Sequence, residues 1–466
     1  MPVVLEINDW QKGGSLHESL VIGKTSSIRE VSGSRNEQIA SYRFLNNNRV
    51  TEKELISSLA TECSKKVSNK HVLCIQDTSE INLNSHRGRL KPGTGIGLIG
   101  NNKDIGFFLH PSIVINAETN HMLGFSHVKL WHRPPDKLNK YQKKYQSLPI
   151  EQKESYKWIE SSLASKEVLQ KAKQITIIED REGDIYEQFA TVPDQRTHLL
   201  VRCSRNRTVN NGERLFTYLQ SRQVTGKYTL KIEGDIRQKR KARESEIEIR
   251  YSKITIGKPK NNKNKSLPQE IEVWAVEARE SNPPDGETPI LWRIITSHKV
   301  DSFQKACQIV EWYKQRWYIE QVFRLLKQKG VRIEDSELEE GWAIRKLTIM
   351  LLSTVLKILQ MYLTLKKDNK ENNQKITDVF NSDEIRCLRM LNKKYEGNTE
   401  KQKNKNRPGS LRWATWVIAR LGGWKGYASQ RAPGVLTLKW GIDKFYEIYF
   451  GWQLANKTKT KNVYTR

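Results

Sequence analysis

Two short apolar runs in this chain each end on an acidic residue. Val72-Leu73-Cys74-Ile75 runs into Gln76-Asp77-Thr78, and Ile175-Thr176-Ile177-Ile178 runs into Glu179-Asp180. A run of this length with no alternation predicts a strand buried on both faces, here with a carboxylate at its end. Residues 107–116 and 121–131 read as two strands joined by Ala117-Glu118-Thr119-Asn120, a hairpin. Residues 198–203 and 290–297 predict further strands. Between them, from 225 to 280, apolar and polar positions alternate, as in 246–251 and 270–278, predicting an antiparallel β insertion. Helical periodicity marks 37–43, 51–63, 151–172, one long helix over 301–329 and a second over 342–365. Lysine-rich polar stretches at 366–375 and 398–407 read as linkers, and an aromatic-rich segment follows them.

The charge balance changes the picture most. The 466 residues carry 80 Lys and Arg against 52 Asp and Glu, a formal net charge of +28. Such an excess repels itself in a compact fold and calls for a polyanionic partner, nucleic acid first and an anionic membrane surface second. The basic stretches 237–243 and 258–265 lie in the β insertion and read either as solvated loops or as DNA contacts. No apolar run reaches the length of a bilayer span. The best candidate, 347–365, is interrupted by Lys357 and Gln360 and predicts a buried helix. Residues 1–10 lack a basic region followed by an apolar stretch, so no secretory signal is expected. The five scattered cysteines contain no CxxC pair, which argues against a disulfide framework or a zinc site and fits a reducing cytoplasm.

Chemistry concentrates in 311–329. At about 100° per residue, with Tyr313 as zero, Arg316 falls near about 300°, Glu320 near about 340° and Lys327 near about 320°. One stripe roughly 60° wide thus carries a phenol, two cations and an acid. The apolar residues Ile319, Val322, Phe323, Leu325 and Leu326 fall on a separate face. The plain reading of the stripe is a solvated face with an i,i+4 ion pair between Arg316 and Glu320. The functional reading joins Glu320 to Asp77 and Asp180. Three carboxylates from two strands and one helix make a hard, oxygen-rich set suited to Mg²⁺ or Mn²⁺. Two such ions could clamp the attacking and leaving oxygens of a phosphodiester displacement. The cations beside the acid would hold backbone phosphates. Glu182 and Asp184 are the next metal candidates, or else acids at a helix N-terminus.

The spacing Tyr313-x2-Arg316-x3-Glu320-x6-Lys327 resembles the signature of the IS-four superfamily of bacterial DDE transposases, including the Tn-five type. Three further stretches agree. CIQDTS (74–79) is similar to the segment carrying that family's first aspartate, and EDREGDI (179–185) to the one carrying the second. NPPDGETPILW (282–292) is similar to the approach to a strand bearing a tryptophan for an extruded base. The similarity runs from about residue 37 to the C-terminus.

The resemblance implies an α/β fold: an RNase H-like core, a mixed sheet flanked by helices, with the antiparallel β insertion at about 204–290 and helical N- and C-terminal regions. The expected division is 1–66, 67–365 and 366–466, the last a dimerisation region. It implies that Asp77, Asp180 and Glu320 hold Mg²⁺ or Mn²⁺, with two ions per site. Strand nicking, hairpin formation and strand transfer would follow. Tyr313, Arg316 and Lys327 would hold phosphates around a flipped base stacked on Trp292. Read without the resemblance, Trp292 is a core strand tryptophan. Arg202, after the strand 199–201, is either a DNA-backbone contact or a surface arginine. His110, in GFFLH, reads as structural. The implied partners are double-stranded DNA, as transposon ends and target, and a second copy of the chain, with no membrane. The implied place is the bacterial cytoplasm, on the nucleoid. Trp413, Trp416, Trp424, Trp440 and Trp452 read as core packing or as the homodimer contact. The N-terminal region is shorter than in the family. A truncated DNA-binding or inhibitory derivative is therefore one alternative, and a nuclease of the same fold is another.

Overall fold

The computed structural model describes residues 28–32, 34–135, 148–232, 241–329, 331–365, 374–427, 430 and 432–461. The expectations for residues 1–10, for most of the basic stretch 237–243 and for most of the linker 366–375 fall outside these residues. After a single helical turn, Ile28–Val31, the elements run in chain order α1 (Arg35–Asn46) and α2 (Glu52–Ser64), followed by β1 (His71–Gln76), β2 (Ser79–Asn82), β3 (Gly97–Leu98), β4 (Ile105–Asn116) and β5 (Met122–Trp131). Next come α3 (Tyr156–Val168), β6 (Gln174–Glu179), α4 (Tyr186–Thr191), β7 (Thr197–Arg202), β8 (Thr208–Val209), β9 (Glu213–Arg214) and α5 (Leu215–Gln220). Then follow β10 (Gly226–Ile232), β11 (Arg243–Gly257), β12 (Glu270–Glu280), β13 (Leu291–Thr296), α6 (Phe303–Lys314) and α7 (Trp317–Arg324). The chain closes with α8 (Gly341–Thr364), α9 (Ser382–Tyr395), α10 (Leu411–Leu421) and α11 (Val435–Lys461).

The strands form one mixed sheet, flanked by helices. Its first part runs β5-β4-β1-β6-β7: β5 and β4 are antiparallel, β4 and β1 antiparallel, and β1, β6 and β7 parallel. This is the RNase H-like core that the resemblance implied. The predicted hairpin forms between β4 and β5, and Asn120 takes a φ of 56° in its turn, a conformation asparagine tolerates. The antiparallel insertion is continuous with this sheet rather than set apart from it. β13 pairs with β7 at Arg202↔Ile294, and β12, β11 and β10 follow outward.

Side-chain alternation gives the sheet two different faces. Leu73, Ile75, Ile178 and Leu200 pack in one core cluster with Ile319, Val322 and Leu325 and with the buried side of α8. Val72, Cys74, Ile177 and Leu199 pack on the other face, with Ile159 of α3 and Phe189 of α4. By length and composition α8 is apolar enough to cross a membrane, so the sequence does contain one run of that length. It is nevertheless the buried central helix that the sequence predicted, with 78% of its most apolar window inside the fold.

At the end of the sheet away from the two aspartates, His71 Nε2 and His298 Nε2 each lie 2.8 Å from the buried Thr176 hydroxyl. The His198 and His298 rings stack at 4.0 Å, and the Trp312 indole closes over His71 and His298. Burial holds all three histidines below their ordinary value, His71 at about 4 and His298 at about 2.

Among the C-terminal tryptophans, Trp413 and Trp416 are buried in α10, whereas Trp440 on α11 is 54% exposed. Packing thus accounts for the first two, and Trp440 faces outward.

Candidate active site

The parallel pairing of β1 with β6 sets the first two acids side by side. Ile75 is in register with Ile178, and each strand releases its aspartate two residues later. By alternation, Asp77 and Asp180 point to the face of Ile75 and Ile178, where the Glu311–Lys329 segment packs.

That segment is not the single helix the periodicity predicts. After α6 the backbone tightens, with the Arg316 amide donating to Tyr313 O at 3.0 Å and the Tyr318 amide to Gln315 O at 2.9 Å. It resumes as α7 and then widens into a π-helical turn, Leu325–Lys329. No glycine or proline marks the first break; Gly330 follows the second in the sequence. Burial of both Tyr313 and Tyr318 and the reach of Arg316 to a strand end bend the local periodicity. As a result Tyr313 is 4% exposed and lies beneath the site rather than on an open stripe.

Arg316 joins the acids. One guanidinium nitrogen lies 2.8 Å from Asp77 Oδ2 and the other pairs with Glu320 Oε1. The predicted i,i+4 ion pair is thus present, and it is part of a larger constellation. Burial, then the neighbouring Asp180, push the Asp77 carboxyl up to about 7, Glu320 adds to this, and Arg316 pulls the other way. Burial works against the Arg316 cation, but Tyr313, Asp77, Glu320 and Asp180 together outweigh it and raise its value. The Tyr313 phenol is raised by burial, while Arg316 and Arg202 favour its anion. Asp77, Asp180, Glu320, Arg316, Tyr313 and Arg202 therefore share one field.

Trp292 and Arg202 come from the neighbouring strands β13 and β7. The Trp292 ring meets Tyr313 edge-on, with centroids 5.9 Å apart. It is half-buried. Lys327, in the π-helical turn, places its Nζ 3.5 Å from Glu334 Oε1 and 3.5 Å from Ser79 Oγ, next to the segment that follows Asp77. All eight residues singled out in the sequence thus come to one end of the sheet.

The carboxylates suit a hard divalent cation by donor chemistry, and a cation would favour the charged form of Asp77, which burial first and Asp180 second disfavour. As the side chains stand, no three His, Cys, Asp or Glu among the described residues are gathered closely enough to hold a metal ion together. The Arg316 guanidinium lies between Asp77 and Glu320, and the Asp180 carboxylate accepts the Glu182 amide at 2.7 Å.

The second-choice acids are accounted for otherwise. Asp184 is buried, bound to Arg207 and to the Ser204 amide at 2.9 Å, which makes it a structural ion pair. Glu182 is exposed in the first turn of a short 3-10 helix, Arg181–Gly183, with Lys157 3.1 Å away. His110 is fully buried in a hydrogen-bonded chain, in line with its structural reading. That chain also includes Thr78, Gln76, Ser162 and Glu179, none of which periodicity singles out. The available signal is two polar residues, Gln76 and Glu179, each closing a strand buried from its second residue on.

Two comparisons with known proteins gave matches. The solved cryo-EM structure of a piggyBac transposase synaptic complex with hairpin DNA is similar over 77% of this chain and 67% of that one, at 9% identity and a TM-score of 0.36. Residues 162–356, which contain Asp180, Arg202, Trp292 and the whole Tyr313–Lys327 segment and leave Asp77 upstream, match the family model of the transposase DDE domain.

Proposed function

We propose that this chain is a DNA transposase of the DDE type, in which Asp77, Asp180 and Glu320 form the catalytic set. The observation that carries the reading is that Arg316 ties Asp77 to the helical Glu320 while strand register sets Asp180 beside Asp77, with Asp180 and Glu320 inside the segment that matches a transposase DDE domain. Bound by these three carboxylates, Mg²⁺ or Mn²⁺, with two ions expected per site, would supply Lewis acidity for phosphodiester hydrolysis and transesterification. The protein's own groups do the rest. Arg316 and Lys327 hold phosphate oxygens by charge-assisted hydrogen bonds, with Tyr313 packed beneath Arg316. Trp292 offers its open face to an unstacked base. Arg202, in register with Ile294, contacts the backbone beside it. The excess of 28 positive charges supplies the long-range attraction for DNA.

The finer reading follows the sequence signature: an insertion-sequence enzyme of the IS-four superfamily, Tn-five type, working as a homodimer on transposon ends in the bacterial cytoplasm. It nicks the end, forms a hairpin and joins the freed ends to target DNA. The test is cleavage of a duplex carrying the inverted repeats that flank its gene, with Mg²⁺ or Mn²⁺, for wild type and Glu320→Gln. Metal-dependent nicking followed by a hairpin, both lost in the variant, is the expected result. Cleavage retained by Glu320→Gln would refute the assignment. Nicking without any hairpin would leave a nuclease.

A further inference from the structure

Behind the candidate site, on the opposite face of the sheet, runs a continuous line of buried polar groups. Strand alternation sends Gln76 and Glu179 to the α3 face while Asp77 and Asp180 point the other way. The Thr78 hydroxyl lies 2.8 Å from His110 Nδ1, and His110 Nε2 lies 3.2 Å from Gln76 Oε1. The Gln76 amide donates to Ser162 Oγ at 3.0 Å, and the Ser162 hydroxyl shares its one hydrogen between Trp158 O at 2.7 Å and Glu179 Oε1 at 3.3 Å, the latter also meeting the Gln188 amide. His110, Gln76, Ser162, Glu179 and Gln188 are all fully buried. The Trp158 ring stands edge-on to His110 at 4.8 Å and closes the line from α3.

The hydrogen-bond roles follow from donor counting. Gln76 Nε2 donates to Ser162, so its Oε1 must accept, and His110 carries its hydrogen on Nε2. His110 Nδ1 is then an acceptor, and the Thr78 hydroxyl has to donate to it. With its side chain so fixed, the Thr78 backbone amide donates to Asp77 Oδ1 at 2.8 Å. A chain that begins beside Asp180 thus ends on the carboxylate of Asp77.

We infer that Thr78, His110, Gln76 and Ser162 are positioning residues: a buried relay that sets the orientation of the Asp77 carboxylate from the end of β6, so that the two aspartates are presented as a pair. The Thr78 amide is the group bonded to the carboxylate, and the four side chains act through it; outer partners of a ligating carboxylate change metal affinity by about 10–100-fold when removed. The inference rests on the proposed role of Asp77 and Asp180 as ligands, and its test separates the two.

Mn²⁺ binding to the full chain is measured by electron paramagnetic resonance, without DNA, for wild type, Thr78→Val, Thr78→Ser, Gln76→Leu and Asp77→Asn. Thr78→Val keeps the shape and removes the hydroxyl, and circular dichroism checks that it folds. It is expected to weaken Mn²⁺ binding about 10–100-fold, with Thr78→Ser restoring it and Gln76→Leu weakening it in the same direction. In the metal-free protein, imidazole nitrogen shifts are expected to show His110 with its hydrogen on Nε2. Thr78→Val binding Mn²⁺ as wild type does, while Asp77→Asn does not, would overturn the relay and leave the triad standing. A hydrogen on His110 Nδ1 would also overturn it. Wild type binding Mn²⁺ no better than Asp77→Asn would remove the proposed site and the relay together.

Discussion

The three-histidine cluster makes this protein's stability depend on pH in a calculable way. His298 is 8% exposed, packed between the His198 and Trp312 rings, and bound to the Thr176 hydroxyl. Burial lowers it to about 2, against about 6.5 for an unfolded histidine. Between those values the unfolded chain takes up a proton that the folded chain refuses, so stability is full above pH ~6.5 and is lost as pH falls. At about 1.4 kcal/mol per unit, His298 alone costs on the order of 2 kcal/mol on going from pH 6.5 to 5. His71 and His198 act in the same direction. The assay is urea unfolding at pH 7.5, 6.5, 5.5 and 5.0 for wild type and His298→Gln. The variant is expected to be less stable at pH 7.5, by about 1 kcal/mol for an altered hydrogen bond. It should lose about 2 kcal/mol less than wild type over the acid range. Equal pH slopes for the two proteins would refute the reasoning, because they would mean that His298 takes up its proton without unfolding.

Other perturbations discriminate roles at the site and in the helical region. Asp184→Asn leaves Arg207 without its charge partner in a largely buried place, and should cost about 3–5 kcal/mol in a thermal melt. Glu182→Gln, on the surface, should leave both the melt and metal-dependent cleavage unchanged. Trp292→Ala should keep the fold but weaken binding of a DNA end with an unpaired terminal base by about 1–3 kcal/mol, measured by fluorescence anisotropy against a fully paired duplex. Equal loss on both DNAs would count against base stacking. Gly441→Ala puts a Cβ 1.9 Å from Ile418 O where α11 crosses α10, and should destabilise by about 1–3 kcal/mol or more by circular dichroism.

The sequence by itself determined the strands that bear Asp77 and Asp180. An apolar run closing on an acid needs no tertiary information to be read as a buried strand with a carboxylate at its end, and β1 and β6 are those strands. It also determined the β4–β5 hairpin and the buried character of α8, because turn chemistry and apolar density are local properties. The Tyr313–Lys327 segment was legible as a chemical unit through its spacing, but not as a shape. The straight helix of the periodicity is broken at Gln315–Arg316 and loosened at Leu325–Lys329. Ion pairing across 239 residues of chain, from Arg316 to Asp77, and burial of Tyr313 outweigh the small local cost of an irregular turn. Only the tertiary structure decided that Asp184 is spent on Arg207, since Asp180, Glu182 and Asp184 look alike in sequence and differ only in what packs against them. The same holds for the relay of Thr78, His110, Gln76 and Ser162. Its members come from β4, α3 and the end of β1, and their hydrogen bonds exist only once the sheet and α3 exclude water from between them.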